Sequence, residues 1–590
     1  MGQTSHSFHI PVLGTGFTID TPLKVAKYGI SSVISLVDDV LIEQMREFYC
    51  AKNNEPYVAI NSKDDDSRAR RITEYLNLLD CLIDKQVSAL QASPFEEGSE
   101  ITRYYEMLPD SPLKQSYRKM LATSDKVSKE KQQSTLRQLA APGGIDVNIM
   151  TKLDCDHYDH GNKLSAEFSD ASAALRGYAN STLNSSIVFS AGFNPRLYGY
   201  ISKFSDFLPD ENGKCKKRII LKVSDYRSAF IQGKYLAKRG VWVSEYRIES
   251  ALNCGGHAFA NDGYLLGPVL EEFKEKKQEL IETLHGFYTK ALQANGRAYP
   301  PKDPLMVMIS AQGGVGTHNE HKFLLEKYGL NGVGWGTPFL LVPEGVNVDD
   351  EHLQKLVAAT DKEVYLSDSS PLGIPFWNLS TSASEENRRE KIESGEPGSC
   401  CPKQYGKTNR EFTKLPICLA SRLYQKLKLA QISKEGWTKE QLQVIKQKLL
   451  SKACICQDLA GSVTKKYGID SEAKTAVCPG LNIINFSKIA TLEEMLGHIY
   501  GRISLLTKSN RPHMFIEELR IHIDFLKKDT VASMQGLASR TQDKLFDVKA
   551  NLLSGIEYYR ELAKKLLKEQ QESFFASLSF LEEELAGIVI

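Results

Sequence analysis

Residues 249–257, ESALNCGGH, close a β-like run with two glycines and a histidine. Glycines there let the backbone come close to a flat ligand, and they leave an imidazole that titrates near neutrality at the strand's mouth. Further on, residues 310–317, SAQGGVGT, break the apolar run LMVMIS at 305–310 and lead into a helix-like segment at 319–328. Small residues ahead of a helix expose N–H groups to an anion, which makes Gln312, Gly313, Gly314 and Gly316 candidates for holding a phosphate. The next run, GVGWGTPFLL at 332–341, ends its strand-like part in Gly336-Thr337, and two successive turns of this kind can share one phosphate. Singly, such a turn is more often only a tight turn, and a lone His more often a hydrogen-bonded core residue.

Cysteine supplies a second set of candidates. The chain has eleven, too unevenly placed for a secreted disulfide framework. Six of them, Cys400, Cys401, Cys418, Cys454, Cys456 and Cys478, fall in the C-terminal part, with prolines after Cys401 and Cys478. Four thiolates suit a 4Fe-4S cluster or a structural zinc; the ligands expected are Cys401, Cys418, Cys454 or Cys456, and Cys478. The alternative is buried free thiols. The run DCDHYDH at 154–160 reads either as a divalent-metal site or as a polar loop facing a substrate, and Asp64-Asp65-Asp66 as a helix N-terminus.

These groups need a frame. The N-terminus runs through IPVLGTGF at 10–17, a helix opened by Asp20-Thr21-Pro22, Gly29, and a strand-like stretch at 30–37, which is a βαβ opening. Further β-rich runs follow at 147–153 (VNIMTKL), 186–191 (SIVFSA), 218–223 (RIILKV) and 241–246, the last two separated by an amphipathic segment at 226–238. Strands alternating with helices imply a parallel sheet, and late βα loops that hold a phosphate are the usual arrangement of a (β/α)8 TIM barrel.

The order of IPVLGTGF, RIILKV, the Gly-Gly-His turn, SAQGGVGT and GVGWGTPFLL resembles the nitronate monooxygenase (2-nitropropane dioxygenase) family, which also includes FMN-dependent enoyl-ACP reductases. The resemblance covers roughly residues 8–45 and 145–380. It implies an FMN-binding TIM barrel in which His257 lies over the flavin as catalytic base, and Gly313-Gly314 with Gly336-Thr337 hold the phosphate. Gly14, Thr15, Gly16, Gly255 and Gly256 would then seat the ring, and Asn148 would bond its pyrimidine edge. Reduced flavin is negative at that edge, so a lysine at a strand end stabilises it; Lys222 is preferred over Lys152. The chain departs from the family at Cys254, where alanine is usual, at Phe259, and at Gly14-Thr15-Gly16, where a proline-methionine turn is usual. The substrate implied is a small carbon acid such as an alkyl nitronate. The alternative is an enoyl thioester delivered by an acyl carrier protein, with NAD(P)H as electron donor; a non-enzymatic barrel scaffold with a metal- or partner-binding helical region is the third reading.

At 590 residues the chain exceeds one barrel, and three parts are expected: the barrel at 1–45 and 141–380, a helical insertion at 46–140 over the mouth or along the side, and a helical, Cys-containing region at 381–590. The Ser- and Glu-rich stretch 381–398 reads as the hinge. Leu545, Val548, Leu552, Ile556, Tyr559, Leu562 and Leu566 form a helical stripe that is either core or a homodimer interface. A net charge of +1 gives no electrostatic case for nucleic acid or an acidic membrane, no apolar run reaches the length of a membrane span, and the N-terminus lacks a signal-peptide layout. The expected location is the cytoplasm.

Overall fold

The computed structural model describes residues 5–159, 161–190, 192–256, 262–297, 305–508, 510–537, 540–564 and 568–590. Eight strands close into a barrel: β1 (Phe8–Ile10), β2 (Ser31–Ser35), β3 (Ile145–Met150), β4 (Ser186–Ser190), β5 (Arg218–Val223), β6 (Val243–Glu249), β7 (Met308–Gln312) and β8 (Gly332–Gly334). Each pairs in parallel with its neighbours in chain order, and β8 closes on β1 through Phe8 opposite Val333. At least one helix follows every strand, so the (β/α)8 barrel expected from the alternation is the architecture found.

Period-two alternation decides what fills the lumen. On β6, Glu245, Arg247 and Glu249 turn inward, whereas Tyr246 turns outward onto Gly233 of the helix Tyr226–Ala237. A small apolar layer of Val33, Val188 and Ile220, capped by Val12, lies inside the barrel. Beside it the Arg247 guanidinium is 2.9 Å from Glu245, whose Oε1 also accepts from Ser310. The lumen is therefore packed but partly ionic, and a buried pair of this kind fixes register more than it adds stability.

Helices Ser67–Ala92, Glu100–Met107, Pro112–Ala122 and Lys126–Leu139 occupy the insertion between β2 and β3. The first packs along the barrel's side: a Cβ at Gly177 of the helix Asp170–Ala179 would lie 2.6 Å from Ala69 O. Asp66 stands at the N-cap position of the helix Ser67–Ala92 with a left-handed backbone (φ 49°), and its carboxylate accepts from Arg176 instead of capping the helix. The stretch expected to be a hinge is instead largely the helix Ala383–Glu393, capped by Ser382 and closed by a Glu385–Arg388 pair. Leu545, Val548, Leu552, Ile556, Tyr559 and Leu562 are all buried within the chain, so this stripe is core and leaves no dimer face there; Leu566 lies outside the described residues.

Two buried carboxylates fasten the helix Met514–Met534 to the barrel. Glu320, near the start of the helix His318–Tyr328, accepts from Gly316 N–H (2.9 Å), Met514 N–H (2.8 Å) and Arg511 Nη1 (2.6 Å). Burial pushes its carboxyl up, but the Arg511 charge and these hydrogen bonds prevail and hold it below its ordinary value. Glu518, on the helix itself, accepts from Ser250 Oγ (2.6 Å) and Leu266 N–H (2.8 Å). It has no cation to oppose its desolvation, and burial raises its carboxyl from 4.5 to about 7.

Truncating Arg511 to alanine strands the Glu320 charge, and the expected loss is roughly 3–5 kcal/mol of unfolding free energy. A denaturant midpoint that moves by less than about 1 kcal/mol equivalent contradicts that role. Glu518 has a folded pKa above its unfolded value, so its contribution is fully present below about pH 4.5 and lost as pH rises through about 7. Glu518→Gln should flatten the fall in stability across that window, measured as denaturant midpoint against pH.

Candidate active site at the barrel mouth

The C-terminal ends of β1 to β6 and the loops after them surround a cavity of about 120 Å3. Its walls include Gly14 and Thr15 after β1, Ser35 on β2, Asn148 on β3, Ser190 on β4, Lys222 on β5 and Glu249 on β6, with Asn253 to Gly256 alongside. The roof comes from elsewhere in the chain: Phe376 from the hairpin Val364–Ser367/Phe376–Leu379, and Ile455, Cys456 and Leu459 from the C-terminal region. The hairpin lies in the segment expected to close over a substrate, whereas nothing in the sequence placed residues 455–459 at the mouth.

Lys222 and Glu249 are neighbours across β5 and β6, with Nζ 2.6 Å from Oε1. The same carboxylate oxygen accepts from Asn253 Nδ2 at 2.6 Å. Glu249 was not among the expected site residues, although its place two residues beyond Arg247 on a strand puts it on the inward face. Asn148 donates to Ser190 Oγ at 3.2 Å. The Thr15 hydroxyl is buried with no hydrogen-bond partner among the described residues, and the residue lines the cavity. Gly255 needs its lack of a side chain: its φ is 75°, and a Cβ would meet Leu13 Cα and Val12 O at 2.3 Å. Gly256 has nothing within 4 Å of its missing Cβ. His257 lies outside the described residues.

The second glycine turn is engaged by protein instead. Gly316 N–H is bonded by Glu320, Gly314 O accepts from Arg511 Nη2 at 2.7 Å, and Val315 O accepts from Asn482 Nδ2 at 3.0 Å. A Cβ at Gly316 would sit 2.6 Å from Asn482, and one at Gly313 would lie 2.9 Å from Asn253 N. Gln312 is buried and bonds Asn253 Oδ1 at 2.8 Å. Gly336 packs on Cys254, whose thiol burial pushes up to about 11, and a Cβ at Gly480 would lie 2.7 Å from Thr337 Oγ1. Gly16 receives the C-terminal region too, donating its N–H to Leu459 O at 3.1 Å.

The fit to FMN therefore divides. The ring end of the mouth offers a cation, an amide, an unpartnered hydroxyl and a wall free of side chains at Gly256. At the phosphate end, at 313–316 and 336–337, Glu320 takes the Gly316 N–H, Arg511 and Asn482 donate to the Gly314 and Val315 carbonyl oxygens, and Gly480 packs against Thr337. Glu320 could have been found from Thr317-x-x-Glu320, a capping-box spacing whose acid here reaches back to Gly316.

Other sequence candidates are held in structure. Asp154 and Asp156 both pair with Arg196, and His157 lies 2.6 Å from Asp170, so these side chains knit a loop together; His160 lies outside the described residues. Lys152 is not among the residues lining the cavity. Cys478 approaches Gly256 O at 3.4 Å, and burial pushes its thiol well above its ordinary value.

No family model matches the chain, and no curated protein matches it. Among solved structures it is similar to the enoyl reductase domain of MlnA from the macrolactin biosynthesis cluster of Bacillus amyloliquefaciens, at 14% identity over 69% of this chain and 90% of that one, with a TM-score of 0.35. It is also similar to nitroalkane oxidase from Streptomyces ansochromogenes, at 10% identity over 65% and 86% of the two chains, with a TM-score of 0.30. Neither score carries an argument about activity, and the barrel assignment rests on the strand pairing. Among the described residues no helix is long and apolar enough to cross a membrane.

The adjacent glycines should separate cleanly. Gly255→Ala combines a left-handed backbone with a backbone clash and should lose at least roughly 1–3 kcal/mol. Gly256→Ala should stay within about 0.5 kcal/mol of the parent. Equal thermal midpoints for the two variants would contradict this geometry.

Proposed function

We propose that the chain is a flavin-dependent oxidoreductase that acts on a small carbon acid of the alkyl nitronate type at the mouth of its barrel. The observation that carries this reading is the polar set at the C-terminal strand ends, where barrel enzymes keep their chemistry: Lys222 fixed by Glu249, Asn148, and the unpartnered hydroxyl of Thr15. In this reading Thr15, Asn148, Lys222, Gly255 and Gly256 hold the ring. A bound flavin supplies the two-electron acceptor.

Each residue has a physical task. The Lys222 ammonium places positive charge where the reduced ring becomes negative, and the short bond to Glu249 keeps it from swinging into solvent. Asn253, bonded to the same carboxylate, holds that acid in turn. His257 follows Gly256 in the chain and is the base assigned to take the substrate's proton, since an imidazole is poised near neutral pH. Phe376, Ile455 and Leu459 keep water from the site. The turn of residues 313–316 is left out of the proposed binding set, because Glu320 takes the Gly316 N–H and Arg511 and Asn482 pack against the turn.

Anaerobic stopped-flow reduction of the bound flavin by propane-2-nitronate tests the assignment. His257→Ala should retain flavin but slow reduction by roughly 10²–10⁴-fold, the range of a lost general base. An unchanged rate removes His257 from the mechanism. Lys222→Met should also slow reduction and weaken flavin retention; normal behaviour in both would remove Lys222.

A further inference from the structure

Two separate segments bring four thiols together beside the barrel mouth. The first is a loop whose ends are tied by Ser399 N–H to Ala420 O (3.0 Å) and Arg422 N–H to Ser399 O (2.8 Å), and whose middle is pinned by Asn409 and Ile417 bonding each other. It carries Cys401 and Cys418, which are buried and packed together with Ala420. Cys401 adopts a left-handed backbone (φ 58°), which is unfavourable for a non-glycine residue and persists only where the surroundings enforce it. The second segment, anchored by Ala453 N–H to Ser369 O (2.9 Å), carries Cys454, at the N-cap of the short helix Ile455–Asp458, and Cys456 within that helix. The helices Arg422–Ile432 and Lys439–Leu450 pack on one another between the two segments and return the chain, and Gln425 Nε2, on the helix that follows Cys418, donates to Lys452 O at 3.1 Å, two residues before Cys454.

We infer that Cys401, Cys418, Cys454 and Cys456 hold a 4Fe-4S cluster, with Cys456 standing in the wall of the barrel-mouth cavity. The donor set is all thiolate, as such clusters require. Zinc bound by four thiolates at about 2.3 Å would draw the sulfurs to about 3.8 Å of one another. Among the described residues, however, only Asp349, Glu351 and His352 bring three ligand atoms within 4.8 Å, so the four thiols are spread more widely than a single ion needs. That acidic triad is itself engaged: Asp349 bonds His352, Ser462 and Thr475, and His352 accepts from Ala383 N–H. Position gives a second reason. Cys456 lines the same cavity as Asn148 and Lys222, so the cluster would border the proposed flavin site; the ligand set itself does not depend on that reading.

The test is the metal and sulfide content of the full chain purified without oxygen, with flavin measured separately in the same extract. About four iron and four sulfide per chain are expected. Cys418→Ser and Cys454→Ser should lose most of the iron, and Cys478→Ser should keep it. One zinc per chain without iron would overturn the cluster. So would a chain that takes up neither metal after anaerobic reconstitution with ferrous iron and sulfide, or iron retained in both ligand variants. Because flavin is scored independently, a chain with iron and no flavin sinks the proposed reaction and leaves the cluster, and the reverse result does the opposite.

Discussion

The Glu320 carboxylate is the constraint on which the shape of the mouth depends. It lies at the N-terminus of the helix His318–Tyr328, where a barrel would offer backbone amides to a ligand's phosphate, and it meets Gly316, Met514 and Arg511 instead. A charge so deeply buried is tolerable only with several donors, so the late barrel turn and the C-terminal helices are obliged to stay together. Glu518 repeats the fastening from the helix side, beneath Ser250 and Leu266. Asn482 and Gly480 then lie against the late turns, and the 455–459 segment forms the roof. The C-terminal region is in this sense a wall of the site.

That arrangement gives the mouth an uneven electrostatic character. The Lys222–Glu249 pair is net neutral, yet it holds a cation at a defined place in a cavity with an apolar roof, where a charge acts more strongly than in water. Above it, Cys456 connects the cavity wall to the thiol group, and Cys454 to Cys456 span only one turn of chain. A two-electron site and a one-electron centre would thus share a boundary one residue thick.

Much of the barrel was legible because strand alternation and the glycine punctuation between strands and helices are local signals: RIILKV, SIVFS and the run ending at Glu249 each became strands. Lys222 and Asn148 followed, since a strand's C-terminal end fixes where a side chain emerges. The partners did not follow, because Glu249 is recognisable only once β5 and β6 are known to be adjacent. At the glycine turn of 313–316 the same small residues that would admit a phosphate also admit Asn482 and Arg511 from far along the chain, which no local signal announces. The stretch 381–398 looked like a hinge from its charge and serine content, but Ser382 caps a helix there and Glu385 is buried against Arg388.

The most direct measurement is the absorbance spectrum of freshly purified full chain, followed by quantification of any flavin released on heat denaturation. The account predicts flavin bands in the native protein and close to one flavin per chain in the supernatant. A colourless chain that takes up neither FMN nor riboflavin when either is added would contradict the assignment of Lys222, Asn148 and Thr15 to a flavin ring.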